Sequence, residues 1–377
     1  MTGRFNFGII LINMDINEKK EKERRVKKFL KNEGLDGILL SKQHNFAWFT
    51  GGGRNYVCTS TEQGAVSLLL TGKEKILITN NIEKPRILEE EIERNEFNLK
   101  KFKWYQNQKE VIANLIKGKK IGSDDRFPGT INLAPKIDSL RYSLTSSEIK
   151  KYRQLAKIAT TEVEEVCRKI KPQEKESKIA GRISDVLRSE GILPIVLLVG
   201  SDERIEKFRH PLPTDKRVNK CVMVAGCGRK WGLIVSLTRL VYFGKIPLKL
   251  RKKHNAVTRV DTVLIANTLP GKPFAGILQR GIETYQETGF PDEWQNHHQG
   301  GPTGYQSRDY KATLKEKRKV EPYQAVAWNP SIKGTKSEDT IIALPSGPEI
   351  ISSTDSWPKI KVPYQGKTWE RPDILEK

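Results

Sequence analysis

Apolar and polar positions follow two periods along the chain, one typical of helices and one typical of strands. In the charged segment 17–33, the apolar residues Val26, Phe29 and Leu30 mark one helix face, and Gly34 follows as an expected helix end. Further apolar runs predict buried strands at residues 35–40, 64–70, 75–79 and 119–123. The alternation of helix and strand signals predicts an α/β domain over residues 1–144.

Two segments of this first domain carry other signals. Residues 44–53 end in three glycines and predict a loop, whereas the acidic segment 82–96 predicts a helix. Residues 5–12 are apolar, but the run is too short for a secretory signal peptide and lacks a small-residue cleavage site. Translation from Met1 and translation from Met14 are both compatible with this start.

A second pattern begins after residue 144 and predicts a second domain over residues 145–355. Its helices are expected at 148–170, 175–190, 249–268 and 274–288, and its last strands at 324–332 and 340–344. Between them, strands at 220–225 and 233–243 surround the glycine-punctuated segment 226–232, which predicts a β-hairpin. The tail 356–377 contains Pro and Trp and is expected to be coil.

Composition and charge exclude several classes of protein. The net charge is +22, but Lys and Arg are dispersed along all 377 residues and interleaved with Glu, so a nucleic-acid partner is not expected. The chain has no apolar run long enough to cross a membrane. Its four cysteines have neither paired nor metal-type spacing, which favours reduced thiols and a cytoplasmic location.

Several motifs occur in an order that resembles the creatinase, prolidase and aminopeptidase P superfamily. They are RVKKFLKNEGLDGILLSKQHNFAWFTG, TSSEIKKYRQLAKIATTEVEEVCRKIKP, HPLPTD, VSLTRLVYFG, HHQGGPTG, WNPSIKG and KSEDTIIAL. The resemblance implies an α/β (α+β) protein, with a small N-terminal creatinase-type domain before a C-terminal pita-bread domain. It also implies a homodimer and a small-molecule or dipeptide-like substrate.

Peptidases of this superfamily hold two divalent metal ions with two Asp, one His and two Glu. By resemblance, the corresponding positions of this chain are Ala225, Ser236, Pro302, Asn329 and Glu338. Methyl, hydroxyl, proline and amide groups cannot replace the charged ligands that such cations require. The segment 216–260 around the hairpin contains no Asp or Glu at all. We therefore expect neither a metal ion nor another cofactor at this site.

Three residues at positions of the superfamily's active site keep groups that can take part in catalysis. His210 in HPLPTD, His298 in HHQGG and Glu338 in KSED are the candidate catalytic residues. Creatinases hydrolyse a C–N bond with a histidine as the proton-transfer group, which implies a metal-independent hydrolase of an amidine, guanidine, lactam or dipeptide-like substrate. The alternatives are a catalytically silent module that binds peptide or protein, and an Xaa-Pro peptidase inferred from homology.

Polar residues near these motifs are candidates for substrate binding. They are Arg239, Lys230, Tyr305, Arg308 and Asn329. An inward Arg239 could bind a carboxylate, but its odd separation from Ser236 places the two on opposite faces of a regular strand. His297 and His298 are adjacent, so we expect one of them to be structural or to face solvent. Cys227 has no recognisable base partner and is not expected to be a nucleophile.

Overall fold

The computed structural model describes residues 14–377, so the apolar run 5–12 lies outside the described residues. The chain forms two compact units. One contains the residues up to 141 together with 145–147, and the other contains 142–144 and 148–377. Within the described part, no helix combines the length and the apolar character that a membrane span requires.

The N-terminal unit contains one long helix, several shorter helices and one mixed sheet. Its helices are α1 (Ile16–Glu33), α2 (Gln43–Thr50), α3 (Lys84–Arg86), α4 (Gln108–Ile116) and α5 (Ala134–Asp138). Its strands are β1 (Gly37–Lys42), β2 (Gln63–Thr71), β3 (Lys75–Asn80), β4 (Asn98–Phe102), β5 (Ile121–Ser123) and β6 (Ile131–Asn132). The sheet order is β4-β3-β2-β1-β5-β6, so the α/β class expected for this domain is confirmed.

The helical prediction for residues 17–33 is confirmed by α1, which ends at Gly34 with a φ of 60°. The loop prediction for residues 44–53 is wrong, because α2 occupies most of this segment. Every residue of α2 is buried, including Trp48, so its sequence shows no polar face from which a helix can be recognised. The acidic segment 82–96 is only partly helical and includes a π-helical turn at Ile87–Glu91.

The C-terminal unit contains longer helices and two four-stranded sheets. Its helices are α6 (Ser146–Lys169), α7 (Glu176–Ser189), α8 (Glu203–Lys207), α9 (Leu248–Ala266) and α10 (Phe274–Glu287). Its strands are β7 (Leu193–Ser201), β8 (Cys221–Lys230), β9 (Leu233–Tyr242), β10 (Gly300–Thr303), β11 (Gln324–Trp328), β12 (Ser331–Ile332), β13 (Thr335–Lys336), β14 (Asp339–Leu344), β15 (Gly347–Ile350), β16 (Lys359–Tyr364), β17 (Lys367–Pro372) and β18 (Leu375–Glu376). Four of these helices confirm the expected ones, namely α6, α7, α9 and α10.

The expected hairpin is formed by β8 and β9, which pair antiparallel from Cys221 opposite Tyr242 to Lys230 opposite Leu233. Its turn contains Trp231 and Gly232, whose φ angles of 53° and 78° are typical of a tight two-residue turn. The prediction of a longer turn at 226–232 is therefore wrong. The glycines belong to β8, where a Cβ atom on Gly228 would lie 2.7 Å from the Ile192 side chain.

Two sheets supply the walls of the site described below. One has the order β18-β9-β8-β7 and the other has the order β10-β11-β14-β15. Thr340 of β14 links the two sheets, because its Oγ1 accepts from the Ser236 amide at 2.8 Å and donates to the Ser236 carbonyl at 2.9 Å. Helices α9 and α10 cover the second sheet through a core that includes Leu264, Phe274 and Trp328.

The prediction of a coil tail at 356–377 is wrong. Strands β16 and β17 form a hairpin, and β18 adds to the edge of β9 in parallel. Arg371 of this tail is fully buried and pairs with Asp261 and Asp339, each at 2.7 Å. A buried charge needs such partners, so the tail is part of the folded unit.

Candidate active site

A cavity of about 300 Å³ lies within the C-terminal unit, beside β8 and the end of β7. Its walls come from β7, β8, the histidine-containing loops and the segment that connects β13 to β14. The lining residues that carry polar chemistry are His210, Cys227, His298, Ser307, Arg308, Asn329, Lys336 and Glu338. The three candidate catalytic residues, His210, His298 and Glu338, thus line one cavity although they are far apart in the chain.

Glu338 lies in this cavity between two cationic side chains. Lys336 Nζ is 2.7 Å from Glu338 Oε2, and Arg308 Nη2 donates to Oε1 at 3.2 Å. Thr238 Oγ1 also donates to Oε2 at 2.8 Å. Burial alone would raise the pKa of Glu338, but the two cations and the donated hydrogen bonds lower it to about 2. The carboxylate is therefore ionised at neutral pH and is not available as a general acid.

Three histidines form a cluster at the same cavity. His210 lies in the loop after α8, and its Nε2 is 3.0 Å from Nε2 of His297. The rings of His297 and His298 stack, with centroids 4.5 Å apart and planes inclined by 25°. Both rings contact His210, but only His298 belongs to the cavity lining, so a structural role for His297 stays a prediction.

The surroundings of the histidine cluster favour neutral imidazoles. Burial and then the Lys336 ammonium lower the pKa of His210 and that of His297, the latter to about 2. Burial followed by Arg308 lowers the pKa of His298 to about 4. All three rings therefore carry lone pairs at neutral pH, and each can accept a proton or a ligand bond.

Comparisons with known proteins identify the family. Residues 23–155 match the Creatinase/Prolidase N-terminal domain, and residues 150–345, more than half of the chain, match Metallopeptidase family M24. The chain belongs to family M24. These matches confirm both the resemblance inferred from the motifs and the fold class, a creatinase-type domain followed by a pita-bread domain.

Individual relatives are similar over nearly their whole length. The Xaa-Pro dipeptidase of Pyrococcus furiosus is 21% identical over 357 residues, which cover 89% of this chain and 99% of that protein. The prolidase structure from Pyrococcus horikoshii has a TM-score of 0.77 at 18% identity, covering 89% and 99% of the two chains. The N-terminal domain of the FACT complex subunit SPT16 from Cicer arietinum has a TM-score of 0.67 at 11% identity, covering 90% and 97%.

The residues present do not fit the two-metal centre of M24 peptidases. At the positions that correspond to its ligands, Ala225 lines the cavity with a methyl group, and the Ser236 hydroxyl is 3.1 Å from Cys227 Sγ. Pro302 is buried in β10, and Asn329 supplies an uncharged amide. Glu338 is already neutralised by Lys336 and Arg308. A centre of two divalent cations needs several charged ligands, which these positions do not supply.

Two of the five candidate substrate-binding residues line the cavity, namely Arg308 and Asn329. Within residues 14–377, the buried atoms Arg308 Nε and Asn329 Oδ1 have no hydrogen-bond partner. One is a donor and the other an acceptor, so together they can bind complementary groups of a ligand.

The other three candidates lie outside the lining of this cavity, so the structure does not bring them together with the candidate catalytic residues. Arg239 faces the opposite side of β9 and is fully buried between Glu164 and Asp339. Lys230 donates to the carbonyl of Glu190 at 2.6 Å. Tyr305 is buried with its hydroxyl 2.7 Å from Glu148 Oε1. Strand alternation explains the position of Arg239, since Ser236 and Arg239 are three residues apart.

Sequence reasoning missed two residues that the structure brings into the site. His297 was assigned no role, and Lys336 was not selected as a candidate. Two adjacent histidines in a sequence must have rings near each other, but the orientation of the rings depends on the loop backbone. The signal for Lys336 is its position two residues before Glu338, since a cation so close in sequence to a carboxylate can pair with it.

Cys227 lines the cavity but does not have the character of a nucleophile. Burial, followed by the negative charge of Glu338, raises the pKa of its thiol. The thiol is therefore protonated at neutral pH, and reactive cysteines require the thiolate. This position agrees with the expectation from sequence that Cys227 has no base partner.

Proposed function

We propose that this M24 protein hydrolyses a C–N bond in a small, dipeptide-like substrate without a catalytic metal ion. The observation that carries the proposal is that His210 and the cation pair Lys336 and Arg308 face one cavity. Lys336 and Arg308 lie beside positions where M24 peptidases have metal ligands. They supply positive charge to the cavity in place of the metal ions. Amidines, guanidines and lactams are further C–N compounds of suitable size for a cavity of about 300 Å³.

The cation pair is suited to an anionic group of the substrate. Lys336 and Arg308 together carry two positive charges, and Glu338 neutralises one of them. The remaining charge can bind a substrate carboxylate or stabilise the oxyanion that forms when a carbonyl is attacked. Arg308 takes the role that the sequence had suggested for Arg239 or Lys230.

His210 is suited to move the proton. In the proposed reaction, water transfers a proton to the imidazole of His210 while its oxygen forms a bond to the carbonyl carbon. The C–N bond then breaks, and the proton passes from His210 to the leaving nitrogen. His298 lines the same cavity and can hold the water or the substrate, so no further reactant is required.

Asn329 and Glu338 complete the recognition of the substrate in this proposal. The unpartnered Asn329 Oδ1 can accept a hydrogen bond from a substrate N–H group. The ionised Glu338 holds Lys336 and Arg308 in position and can attract a cationic amino group. The carboxylate of a zwitterionic dipeptide complements the cation pair, and its ammonium group complements Asn329 Oδ1 and Glu338, which is why we favour it among C–N compounds.

Hydrolysis should depend on the carboxylate of the substrate. We expect Xaa-Pro dipeptides to be cleaved, and the same dipeptides with an amidated C-terminus to lose about 1.5–3 kcal/mol of transition-state stabilisation, a fall in kcat/KM of roughly 10- to 100-fold or more. Lys336→Met should reduce this preference, whereas Lys311→Met, a cation outside this cavity's lining, should retain it.

The measurement is kcat/KM for each acid and amide pair with both variants. Equal rates for the acid and the amide would contradict the role of the cation pair. Binding of dipeptide acids by calorimetry without any turnover would instead support the alternative function, a silent peptide-binding module on the same fold.

A further inference from the structure

The histidine cluster (His210, His297 and His298) is a separate feature of the cavity. Each ring offers one nitrogen, and the three nitrogens lie within 4.8 Å of one another. None of the three residues occupies one of the five positions that correspond to the metal ligands of M24 peptidases. Three histidines with one open position form a known type of mononuclear zinc site.

We propose that the histidine cluster binds a single divalent transition-metal ion, with Zn²⁺ and Co²⁺ as its typical occupants. In a tetrahedral site with Zn–N bonds of about 2.0–2.1 Å, ligand nitrogens are about 3.3 Å apart. The Nε2 atoms of His210 and His297 are 3.0 Å apart, so this pair is close to the required spacing. The third ligand nitrogen, from His298, lies within 4.8 Å of the other two.

The hydrogen bonding within the cluster is incomplete. In the described part of the chain, the buried Nδ1 atoms of His297 and His298 have no hydrogen-bond partner. His297 is only 8% exposed, so water does not easily satisfy its ring. The Nε2 atoms of His210 and His297 can share one proton in a hydrogen bond. A metal ion that binds the lone pairs of both nitrogens would take the place of that hydrogen bond.

The charges around the cluster determine which ions can bind. Lys336, Arg308 and Lys311 act on these histidines against the single carboxylate of Glu338. This excess of positive charge disfavours hard cations such as Mg²⁺ and Ca²⁺, which prefer oxygen ligands. Imidazole binds Zn²⁺, Co²⁺ and Cu²⁺ through stronger bonds, and the positive surroundings favour an anion as the fourth ligand.

One consequence rests on the proposed function. A bound ion occupies the lone pair of His210 that the proposed proton transfer requires, so Zn²⁺ should inhibit hydrolysis. The metal site itself does not rest on that function, because binding can be measured without a substrate. The two proposals can therefore fail independently.

The test is calorimetric titration of metal-free protein with ZnCl₂ and CoCl₂ in the absence of substrate. A Cys58→Ser background removes an exposed thiol that can bind zinc on its own. We expect one ion per chain, a Co²⁺ absorption spectrum typical of nitrogen ligands, and no binding of Mg²⁺ or Ca²⁺. His297→Ala and His210→Ala should each weaken binding by about 100-fold or more, since losing an outer-shell partner alone costs 10- to 100-fold.

Asn329→Ala is the control that separates this site from the two-metal centre of the family, because Asn329 stands at one of its ligand positions and carries no charge. The affinity of this variant for Zn²⁺ should stay within a few-fold of the parent. His210→Ala changes an exposed loop residue, so it remains informative if His297→Ala fails to fold. Absence of Zn²⁺ binding, or binding that neither histidine variant weakens, would overturn the proposal. Binding that does not inhibit hydrolysis would support the metal site and contradict the role of His210 in the reaction.

Discussion

Replacing His210 by alanine should abolish hydrolysis while the protein remains folded. In the proposed reaction this imidazole accepts the proton of the attacking water and returns it to the leaving nitrogen. Loss of a positioned proton-transfer group typically lowers a rate by about 10²–10⁴-fold. We therefore expect kcat/KM of His210→Ala for a dipeptide substrate to fall by at least about 100-fold.

The same variant should have nearly unchanged stability. His210 is exposed, and the substitution of an exposed side chain usually changes the free energy of unfolding by less than about 0.5 kcal/mol. Leu212→Ala is a matched control, because Leu212 is 68% exposed in the same loop and does not line the cavity. Turnover by His210→Ala at the parent rate would contradict the proposed reaction.

Replacing Arg239 by alanine should have the largest effect on stability. Its guanidinium is fully buried and donates to Glu164 Oε1 at 2.8 Å, to Asp339 Oδ1 at 3.2 Å and to the Ser352 carbonyl at 2.8 Å. Removing it leaves the carboxylates of Glu164 and Asp339 buried with fewer partners. Breaking a buried ion pair from one side costs about 3–5 kcal/mol.

Denaturant unfolding followed by circular dichroism measures this loss. Arg153→Ala is the matched control, because Arg153 makes a bidentate pair with Glu349 but is 47% exposed. An exposed pair contributes about 0–1 kcal/mol, so this variant should remain close to the parent. If Arg239→Ala were as stable as Arg153→Ala, the assignment of Arg239 to a structural network would be wrong.

The helices of the C-terminal unit could be predicted from sequence because their own residues carry the necessary pattern. In α6 and α10, buried positions recur at helical spacing, and the remaining faces are polar. The hairpin of β8 and β9 was predicted for a similar reason, since its two apolar strands are close in sequence. Its turn was misjudged because two glycines, Gly226 and Gly228, which are usual in turns, continue a strand.

The tail could not be predicted because its strands depend on distant partners. Leu375 of β18 pairs with Val241 of β9, which is far away in the chain. Strands β16 and β17 contain prolines and many charged residues, which reduce a local strand signal. Burial of Arg371 against Asp261 and Asp339 becomes visible only when the three segments are folded together.

Site residues could be predicted from sequence where a motif fixes their position. They could not be predicted where their role depends on the direction of a side chain in the folded protein. His210, His298 and Glu338 were identified from the family resemblance, and they line one cavity. The Lys336 side chain at the end of β13 pairs with Glu338 in the short connection before β14, a contact that depends on the backbone of that connection. The direction of Arg239 followed from strand alternation, but the presence of its buried partners did not.

Hydrolysis by metal-free protein tests the central claim most directly. After exhaustive chelation, the metal content is measured by elemental analysis, and the release of free amino acid from an Xaa-Pro dipeptide is followed in the same sample. The account predicts turnover at less than about 0.1 metal ion per chain, at a rate that a chelator does not lower. Loss of turnover on chelation, with recovery as two divalent ions per chain are restored, would contradict it.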